Sequence, residues 1–280
     1  MLVQVALMRI VAVVQARMGS TRLPGKVLLP VAGRPLLERM LARVGEATQL
    51  DDVVVATTTD PADDPIRALA AELGVACASG HPTDLIERHL QAADRMAADV
   101  VVKIPSDCPL IDPAVIDEVV GHFRRHRDSY EYVSNLHPPT WPDGNDVEVL
   151  PRHVLGEAWM LAARAYEREH TTPFVWDHPD RYRLANVTMA SGYDLSATHR
   201  LTIDYEEDYR LIAAVFEALE CPGGPAFSFA TIVDFLDAHP QIAALNARFR
   251  GTGWIDQHRH ELRTARSPGS IPGVFGEANQ

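Results

Sequence analysis

The apolar residues in the first half of the chain fall into two kinds of segment that alternate. Short unbroken runs, rich in valine and isoleucine, predict strands that are buried on both faces. Longer segments with apolar residues three and four apart predict amphipathic helices. The predicted strands cover residues 9–16, 53–59, 75–78 and 100–104, and the predicted helices cover 36–47, 65–73, 85–97 and 113–125. This alternation predicts an α/β fold with a mostly parallel central sheet covered by helices on both faces.

Beyond residue 130 the pattern is less regular. Short β-like pieces are predicted at 147–150, 183–187 and 201–203, and helices at 154–169, 208–219 and 229–239. We interpret 130–204 as an inserted α+β portion that closes one side of a cleft. It lies within one domain of residues 8–254, in which 208–254 form a helical extension.

Both ends of the chain are expected to lie outside this domain. Residues 262–280 are rich in Ser, Pro and Gly and have little to bury, which predicts a disordered tail. Residues 1–7 precede a second methionine, Met8, which is a candidate for the true start of the chain.

Composition narrows the class of protein. The formal net charge of −12 argues against a general nucleic-acid binder, which needs a basic face, although a few well-placed cations suffice for a small anionic ligand. The three cysteines, Cys77, Cys108 and Cys221, are widely spaced and odd in number, so a disulfide framework is not expected. No apolar run is long enough to span a membrane. We therefore expect a cytoplasmic protein without a membrane or nucleic-acid partner.

Candidate chemistry begins in the loop that follows the first predicted strand. Residues 15–26 have the sequence QARMGSTRLPGK. Glycines allow backbone N–H groups to approach phosphate oxygens, and Arg17, Arg22 and Lys26 carry the charge to neutralise a triphosphate. The spacing fits neither a Walker A loop nor a dinucleotide fingerprint. On composition alone, a solvated basic turn is an equal alternative.

Two acidic residues follow later strands. Asp107 comes directly after the fourth predicted strand, and Asp204 ends the last β-like piece. Because loops at the carboxyl ends of parallel strands meet at one edge of a sheet, both carboxylates are candidates to hold Mg²⁺ beside the 15–26 loop. The alternative for Asp107 is a turn or helix-cap residue. Cys108 has no His partner in a suitable pattern, so we interpret it as a small apolar filler.

Taken in order, these segments resemble those of a known enzyme family. The 15–26 loop resembles the opening motif of the SpsF-type cytidylyltransferase family, whose relatives include the acylneuraminate and 3-deoxy-manno-octulosonate cytidylyltransferases. Other similar segments are DLIER at 84–88, SDCPLI at 106–111, PDGNDVE at 142–148, REHTTP at 168–173, RLTID at 200–204 and HPQIAALN at 239–246. The resemblance runs from about residue 9 to residue 254.

The resemblance implies a GT-A-like nucleotidyltransferase fold, CTP as donor, Mg²⁺ as cofactor and a sugar or sugar-acid acceptor. It implies that Arg17, Lys26 and Asp107 are catalytic and that Asp107 and Asp204 hold the metal. The implied nucleotide-binding residues are Gln15, Ala16, Arg17, Gly19, Ser20, Arg22, Lys26, Asp84, Arg88 and Ser106. The residues implied to face the acceptor are Asp146, Glu148, Glu169 and His170. The alternative for Glu169 and His170 is a structural hydrogen-bonded pair. A homodimer that pairs through the inserted portion is also expected.

Several alternatives stay open at this point. Ser106 replaces the usual Gly of the family, which leaves the nucleotide base less constrained. A GT-A glycosyltransferase would share the sheet and the metal, but it would normally have Asp-x-Asp where this chain has Asp107-Cys108-Pro109. A nucleotide-binding subunit without activity is a further possibility, which the intact set of charged residues argues against. Metal binding by His122 and His126, four apart on a helix, is less favoured than a solvated face.

Overall fold

A mostly parallel sheet forms the centre of the computed structural model, which describes residues 8–190, 192–221, 223–251, 260–264 and 276–277. The strands of this sheet are β1 (Ile10–Gln15), β4 (Asp52–Thr58), β5 (Ala76–Gly80), β6 (Val100–Pro105), β7 (Tyr132–Ser134), β8 (Glu148–Pro151), β9 (Leu184–Asn186) and β10 (Gly276–Glu277). Two further strands, β2 (Pro30–Val31) and β3 (Arg34–Pro35), pair as a separate antiparallel ribbon.

Strand order places β1 and β6 side by side in the middle of the sheet. The order is β10-β9-β7-β8-β6-β1-β4-β5. β5, β4, β1 and β6 are parallel, whereas β8 runs antiparallel to both of its neighbours, β6 and β7. The carboxyl ends of β1 and β6 therefore meet at one edge, and the residues that precede β8 arrive at that same edge.

Helices cover both faces of the sheet because its strands are apolar on both sides. They are α1 (Leu36–Val44), α2 (Asp64–Glu72), α3 (Leu85–Arg95), α4 (Pro113–His126), α5 (Arg152–Leu161), α6 (Ala165–His170), α7 (Pro173–Trp176), α8 (Glu206–Leu219), α9 (Phe229–Ala238) and α10 (Pro240–Ala243). Ile10, Ala12 and Val14 of β1 pack with α1 and α4, whereas Val11 and Val13 pack with α3 and α5. A third apolar cluster joins α8 and α9 to the ribbon.

The structure confirms the α/β class and the eight elements predicted for the first half of the chain, with ends that differ by at most three residues. Two predictions for the second half were wrong. The helix predicted at 154–169 is two helices, α5 and α6, because the backbone turns extended at Ala162 and Glu167 caps a new helix. No strand forms at 201–203, whose backbone instead makes irregular hydrogen bonds to neighbouring loops.

The segment interpreted as an insertion extends the central sheet. Residues 130–204 supply β7, β8 and β9, which continue the sheet beyond β6. The tail predicted at 262–280 and the segment 1–7 lie outside the described residues, apart from 262–264 and 276–277. Among the described residues, no helix is both long and apolar enough to cross a bilayer.

A backbone contact at Gly144 fixes the turn before β8. Gly144 has φ +106°, and a Cβ atom there would lie 2.6 Å from the carbonyl carbon of Leu201 and 2.7 Å from the nitrogen of Thr202. Gly144→Ala is therefore expected to lower the free energy of unfolding by about 2–4 kcal/mol, measured by chemical denaturation.

The matched control is Gly33→Ala. Gly33 also has positive φ, +79°, but a Cβ atom there would have no neighbour within 4 Å. This substitution should cost about 1 kcal/mol, from the backbone conformation alone. Equal losses in the two variants would show that the contact with residues 201–202 is not what requires glycine at position 144.

Candidate active site

The 15–26 loop and the turn after β6 lie side by side at one edge of the sheet. β1 and β6 pair in parallel through their full length, and the Ser106 N–H donates to the Gln15 carbonyl at 3.2 Å. The end of β1 therefore places Gln15 and Arg17 next to the turn that carries Asp107.

A buried carboxylate and a glycine shape the 15–26 loop. The Met18 N–H donates to Asp63 Oδ1 at 2.7 Å, and the Thr58 hydroxyl donates to the other oxygen of the same carboxylate. Gly25, at φ +68°, precedes a single 3₁₀ turn over Lys26–Leu28, a conformation that suits a residue without a side chain. The hydrogen bond to Asp63 fixes the loop, and Lys26 begins the 3₁₀ turn beside the edge of the sheet.

The Lys26 ammonium lies between the two carboxylates that were predicted to hold a metal. Its Nζ atom is 3.0 Å from Asp204 Oδ1 and 3.6 Å from Asp107 Oδ2, and it donates to the Ile203 carbonyl at 2.6 Å. Arg22 Nη2 also donates to Asp204 Oδ1, at 2.6 Å. The structure thus brings the predicted cations and carboxylates into direct contact.

The irregular 200–204 segment is attached to the β6 turn by hydrogen bonds. The Ile203 N–H and the Thr202 hydroxyl donate to the Asp107 carbonyl at 2.8 and 2.9 Å. The Leu201 N–H donates to the Asp143 carbonyl at 2.6 Å. These bonds replace a strand ladder and hold Asp204 beside Asp107.

Behind Asp204 lies a buried charge cluster centred on Arg200. Its guanidinium donates to Asp204 and Asp143 at 3.0 and 2.9 Å, and to Asp208 through Nε at 3.0 Å. Asp208 also accepts from two backbone N–H groups at the start of α8 and from the Asn246 side chain at 2.8 Å. Burial acts to lower the pKa of Arg200, but bonding to Asp208 and the surrounding carboxylates raises it overall. Arg200 therefore stays charged and orients Asp204.

A cleft of about 270 Å³ opens in front of these groups. Most predicted nucleotide-binding residues line it, together with two of the residues expected to face the acceptor. The lining residues are Gln15, Ala16, Arg17, Gly19, Ser20, Thr21, Arg22, Lys26, Val27, Leu85, Arg88, Pro105, Ser106, Asp107, Glu169 and His170. The Oε1 atom of Gln15 is buried there without a hydrogen-bond partner among the described residues, which indicates room for a donor group of a ligand.

A larger cavity of about 410 Å³ lies between α1 and the chain segment after α8. It contains none of the predicted site residues. We therefore assign the chemistry to the smaller cleft, where the charged groups meet.

The two predicted residues of α3 have different places. Arg88 lines the cleft, is buried, and donates to the carbonyls of His81 and Pro82. Burial and the nearby Arg17 lower the pKa of Arg88 to about 10. Asp84 instead caps α3 by accepting from the Glu87 N–H, forms an ion pair with Arg168, and does not line the cleft.

Asp143 and Asp146 form an acidic region near Asp107, and neither lines the cleft. Burial and the neighbouring Asp143 and Asp107 carboxylates raise the pKa of Asp146 to about 8. Burial raises the pKa of Asp143 to about 6, against the effect of its ion pair with Arg200. Each carboxylate of this region therefore makes ionisation of the others more costly.

Glu148 lies beneath the site, although the resemblance implied that it would face an acceptor. Its side chain is buried and bound by the Lys103 ammonium and the Tyr132 hydroxyl. Burial alone would raise the pKa of Glu148, but Lys103 and hydrogen bonds from Lys103, Thr172 and Tyr132 lower it overall. Glu148 is thus an ionised, internally paired carboxylate rather than a cleft residue.

A metal at this site would need ligands beyond the protein. The described residues contain no group of three or more His, Cys, Asp or Glu side chains that could hold an ion. Asp107 and Asp204 do converge on one cation, Lys26, and two carboxylates completed by phosphate oxygens are a usual Mg²⁺ environment. The donor set therefore fits a metal that arrives with a phosphate ligand.

The surroundings of Cys108, His122 and His126 indicate structural roles for these residues. Burial raises the pKa of the Cys108 thiol well above its usual value, which agrees with an unreactive apolar filler. The rings of His122 and His126 lie 4.5 Å apart, and burial lowers the pKa of His122 to about 4. Both rings also lie near Tyr130.

Sequence reasoning missed the parts of the site that support Asp204. Arg200 and Asp143 lie within recognisable segments, but nothing in their spacing links residues 57 apart in the chain. Asn246, whose side chain donates to Asp208 and to the Arg200 carbonyl, comes from the end of the helical extension. The one available indication was Asp208 in the first turn of α8, a usual position for a capping carboxylate.

Comparisons with known proteins agree with this geometry. The family model described as Cytidylyltransferase matches residues 11–221. The chain is 29% identical over 240 residues to the spore coat polysaccharide biosynthesis protein SpsF of Bacillus subtilis (strain 168). The alignment covers 84% of this chain and 96% of that protein. The solved structure of a cytidylyltransferase from Leptospira borgpetersenii serovar Hardjo-bovis (strain JB197) is 32% identical with a TM-score of 0.79, and it covers 84% of this chain and 97% of that one.

A more distant structure shows the likeness of fold alone. The structure of CMP:2-keto-3-deoxy-manno-octonic acid synthetase complexed with CTP is 16% identical, with a TM-score of 0.56, and it covers 75% of this chain and 98% of that one. Together with the Leptospira structure, it confirms the α/β nucleotidyltransferase fold.

The acidic region predicts an unusual dependence of stability on pH. Because the folded-state pKa of Asp146 is raised from 3.8 to about 8, the native state holds a proton that the unfolded chain releases. Its contribution to stability is therefore lost as pH rises from about 4 to 8. Asp146→Asn keeps this side chain uncharged at every pH and so removes the pH-dependent loss, and the free energy of unfolding of the variant should exceed that of the wild type by a margin that grows with pH.

Chemical denaturation at several pH values between about 5 and 9 measures this margin. Glu72→Gln, at an exposed position of α2, is the control and should follow the wild-type profile. Parallel profiles for wild type and Asp146→Asn would show that Asp146 ionises as easily in the folded chain as in the unfolded one.

Proposed function

The chain belongs to the cytidylyltransferase family, and on that premise we propose that it transfers CMP from CTP to a sugar or sugar-acid acceptor, with Mg²⁺ as cofactor and release of pyrophosphate. The observation that carries the proposal is the Lys26 ammonium between Asp107 and Asp204, beside a loop that contains Arg17 and Arg22. Cations that suit a phosphate and carboxylates that suit a metal lie together at one edge of the sheet, which supports the proposal.

Nucleotide binding is assigned to the cleft. Arg17, Arg22 and Lys26 would neutralise the triphosphate, and the backbone around Gly19, beside which a Cβ atom would meet nothing within 4 Å, leaves room for close approach. Arg88 is fixed by two carbonyls at the other side of the cleft, where a base or ribose would lie. In the CMP-octonic acid synthetase structure the bound nucleotide is CTP, which supports cytosine as the base here.

Asp107 and Asp204 are the residues that would hold Mg²⁺. When bound, the metal would neutralise phosphate charge and polarise the α-phosphate. In the structure Asp204 is bound by Arg22, Lys26 and Arg200. We propose that Arg22 and Lys26 leave Asp204 for the triphosphate as the nucleotide enters, which frees the carboxylate for the metal.

The reaction needs positioning and charge stabilisation more than covalent catalysis. An acceptor oxygen attacks the α-phosphorus in line, and the bond to the pyrophosphate breaks. Arg17 and Lys26 would stabilise the charge that grows on the leaving pyrophosphate. Asp146, beside Asp107 and outside the cleft lining, is proposed to face the acceptor.

A homodimer formed through the inserted portion is also proposed. Trp159, Met160 and Leu161 are exposed by 42%, 70% and 43% at the end of α5. An exposed apolar group of this kind supports an interface on the 130–204 segment. The chain is further expected to work in the cytoplasm.

Pyrophosphate release tests the reaction. Purified protein with Mg²⁺, each nucleoside triphosphate in turn and a panel of sugar and sugar-acid acceptors should release pyrophosphate with CTP alone among the nucleotides. Lys26→Ala and Asp107→Ala should each lower the rate about 10²–10³-fold, because each removes charge stabilisation from the transition state.

Arg34→Ala is the control for loss of a basic residue. Its side chain is 62% exposed and pairs with Glu38 away from the cleft, so the rate should not change. Release of a nucleoside diphosphate from a nucleotide sugar would favour the glycosyltransferase alternative. Absence of Mg²⁺-dependent binding of any nucleoside triphosphate in calorimetry would contradict the proposal.

Metal and nucleotide binding are expected to depend on each other. Because Arg22 forms an ion pair with Asp204, Arg22→Met should strengthen binding of Mn²⁺, used as a spectroscopic substitute for Mg²⁺, about threefold in the absence of nucleotide. The same substitution should weaken CTP binding in the presence of Mg²⁺, because it removes a phosphate ligand.

Electron paramagnetic resonance of free Mn²⁺ and calorimetry with CTP measure the two effects. Arg34→Met, which removes a guanidinium outside the cleft, should alter neither. Weaker Mn²⁺ binding by Arg22→Met without nucleotide would show that Arg22 does not compete with the metal for Asp204.

A further inference from the structure

The backbone at Thr171 has a conformation that a β-branched residue rarely adopts. Its φ and ψ are +74° and −56°, and the Thr172 N–H donates to the His170 carbonyl at 2.9 Å. These values define a three-residue γ-turn of the rare, strained kind. Strained turns of this sort persist only where the surrounding structure enforces them, and they concentrate at functional sites.

Contacts on both sides of the turn enforce it. On the N-terminal side, Glu167 accepts the N–H groups that begin α6, and Arg168 forms an ion pair with Asp84 at the start of α3. Short helix α6 is thereby fixed against α3. Glu169 and His170, the last residues of α6, must follow its direction.

On the C-terminal side, the chain is fixed by the Glu148 cluster, which consists of Glu148, Lys103, Tyr132 and Thr172. The Thr172 hydroxyl is a hydrogen-bonding neighbour of both the Glu148 carboxylate and the Tyr132 hydroxyl. All four side chains are buried, and Lys103 and Tyr132 bind the two oxygens of Glu148. Thr172 thus fixes the turn to the central sheet.

The strained turn has no evident value for packing. Thr171 is fully buried, yet its Oγ1 atom has no hydrogen-bond partner among the described residues, which is an additional cost to the fold. The turn directly follows Glu169 and His170, which line the cleft together with Gln15, Arg17 and Arg88. This part of the cleft is the one assigned above to the nucleotide.

We propose that the strained turn at Thr171 holds His170 as a nucleotide-binding wall of the cleft, and that Thr172 and Glu148 are positioning residues for it. The inference rests on the proposed function, since the nucleotide is taken to be CTP. His170 touches the nucleotide, whereas Thr172 and Glu148 act only through the turn. The proposal gives the buried Glu148 side chain a role in positioning His170 that does not require contact with a ligand.

Calorimetric titration with CTP in the presence of Mg²⁺ tests the inference on the full chain. His170→Ala should weaken CTP binding about tenfold, equivalent to the loss of one polar contact. Thr172→Val, which has nearly the same shape but no hydroxyl, should weaken it about fivefold, whereas Thr172→Ser should restore it to within about twofold. Thr172 is chosen because removal of Glu148 would leave Lys103 buried without its counter-ion.

A double-mutant cycle separates positioning from general damage. If Thr172 acts through His170, Thr172→Val should have no further effect on CTP affinity in the His170→Ala background. A purely structural role would instead lower the melting temperature and weaken binding equally in both backgrounds. Thr171→Gly is a second, independent variant: glycine adopts this backbone without strain but also adopts many others, so the melting temperature should not fall, whereas CTP binding should weaken because His170 is held less rigidly.

The outcomes distinguish this inference from the proposed function. CTP binding by the wild type with unchanged affinity in His170→Ala, or an undiminished effect of Thr172→Val in that background, would overturn the inference alone. Absence of CTP binding by the wild type would overturn the proposed function and the inference together.

Discussion

The carboxylate of Asp204 contacts three cations, and the arrangement of the site depends on these contacts. Arg200 approaches from the protein interior, whereas Lys26 and Arg22 approach from the 15–26 loop. The interior contact is supported by Asp208, Asp143 and, through Asp208, the helical extension. The Arg22 contact is on the open side, where its side chain is 47% exposed and screening by water weakens the pair, whereas the Lys26 side chain is only 12% exposed. The contacts of Asp204 with Arg200 and Lys26 are therefore better shielded from solvent than its contact with Arg22.

The charges around Asp204 partly compensate one another, because Arg22 and Lys26 of the loop each contact a carboxylate. On the proposed function, a triphosphate and a divalent cation that enter together keep this compensation, because the anion takes the loop cations and the cation takes the carboxylates. Either one alone would leave unpaired charge in a partly buried place, which is costly. The physical chemistry of the site thus favours joint entry.

The fold of the first half was predictable because burial on both faces imposes one simple pattern, which valine-rich runs such as those of β1 and β6 display. The main charged residues were also predictable, since Lys26 lies in the loop that follows β1 and Asp107 lies in the turn that follows β6. Prediction failed where tertiary contacts decide. Residues 201–203 have strand-like composition, but hydrogen bonds to the Asp107 and Asp143 carbonyls fix them without a ladder. Glu148 lies in a segment that resembles the family motif, yet its side chain is buried in an ion pair with Lys103. Nothing in the sequence around either residue indicates that the two would pair.

Because β8 runs antiparallel to β6, substitutions in the segment before β8 are separated from those in the loop after β1. The parallel strands β1 and β6 end at the edge of the sheet that carries the candidate site, whereas β8 begins there. Residues 143–146 therefore reach this edge on a segment that is separate from the 15–26 loop. Substitutions before β8 can therefore alter what lies beside Asp107 while the groups on β1 keep their places. On the proposed function, a lineage could change its acceptor by remodelling this one connection while it keeps the residues that bind the nucleotide, so acceptor choice would be the part of this architecture that evolves more easily.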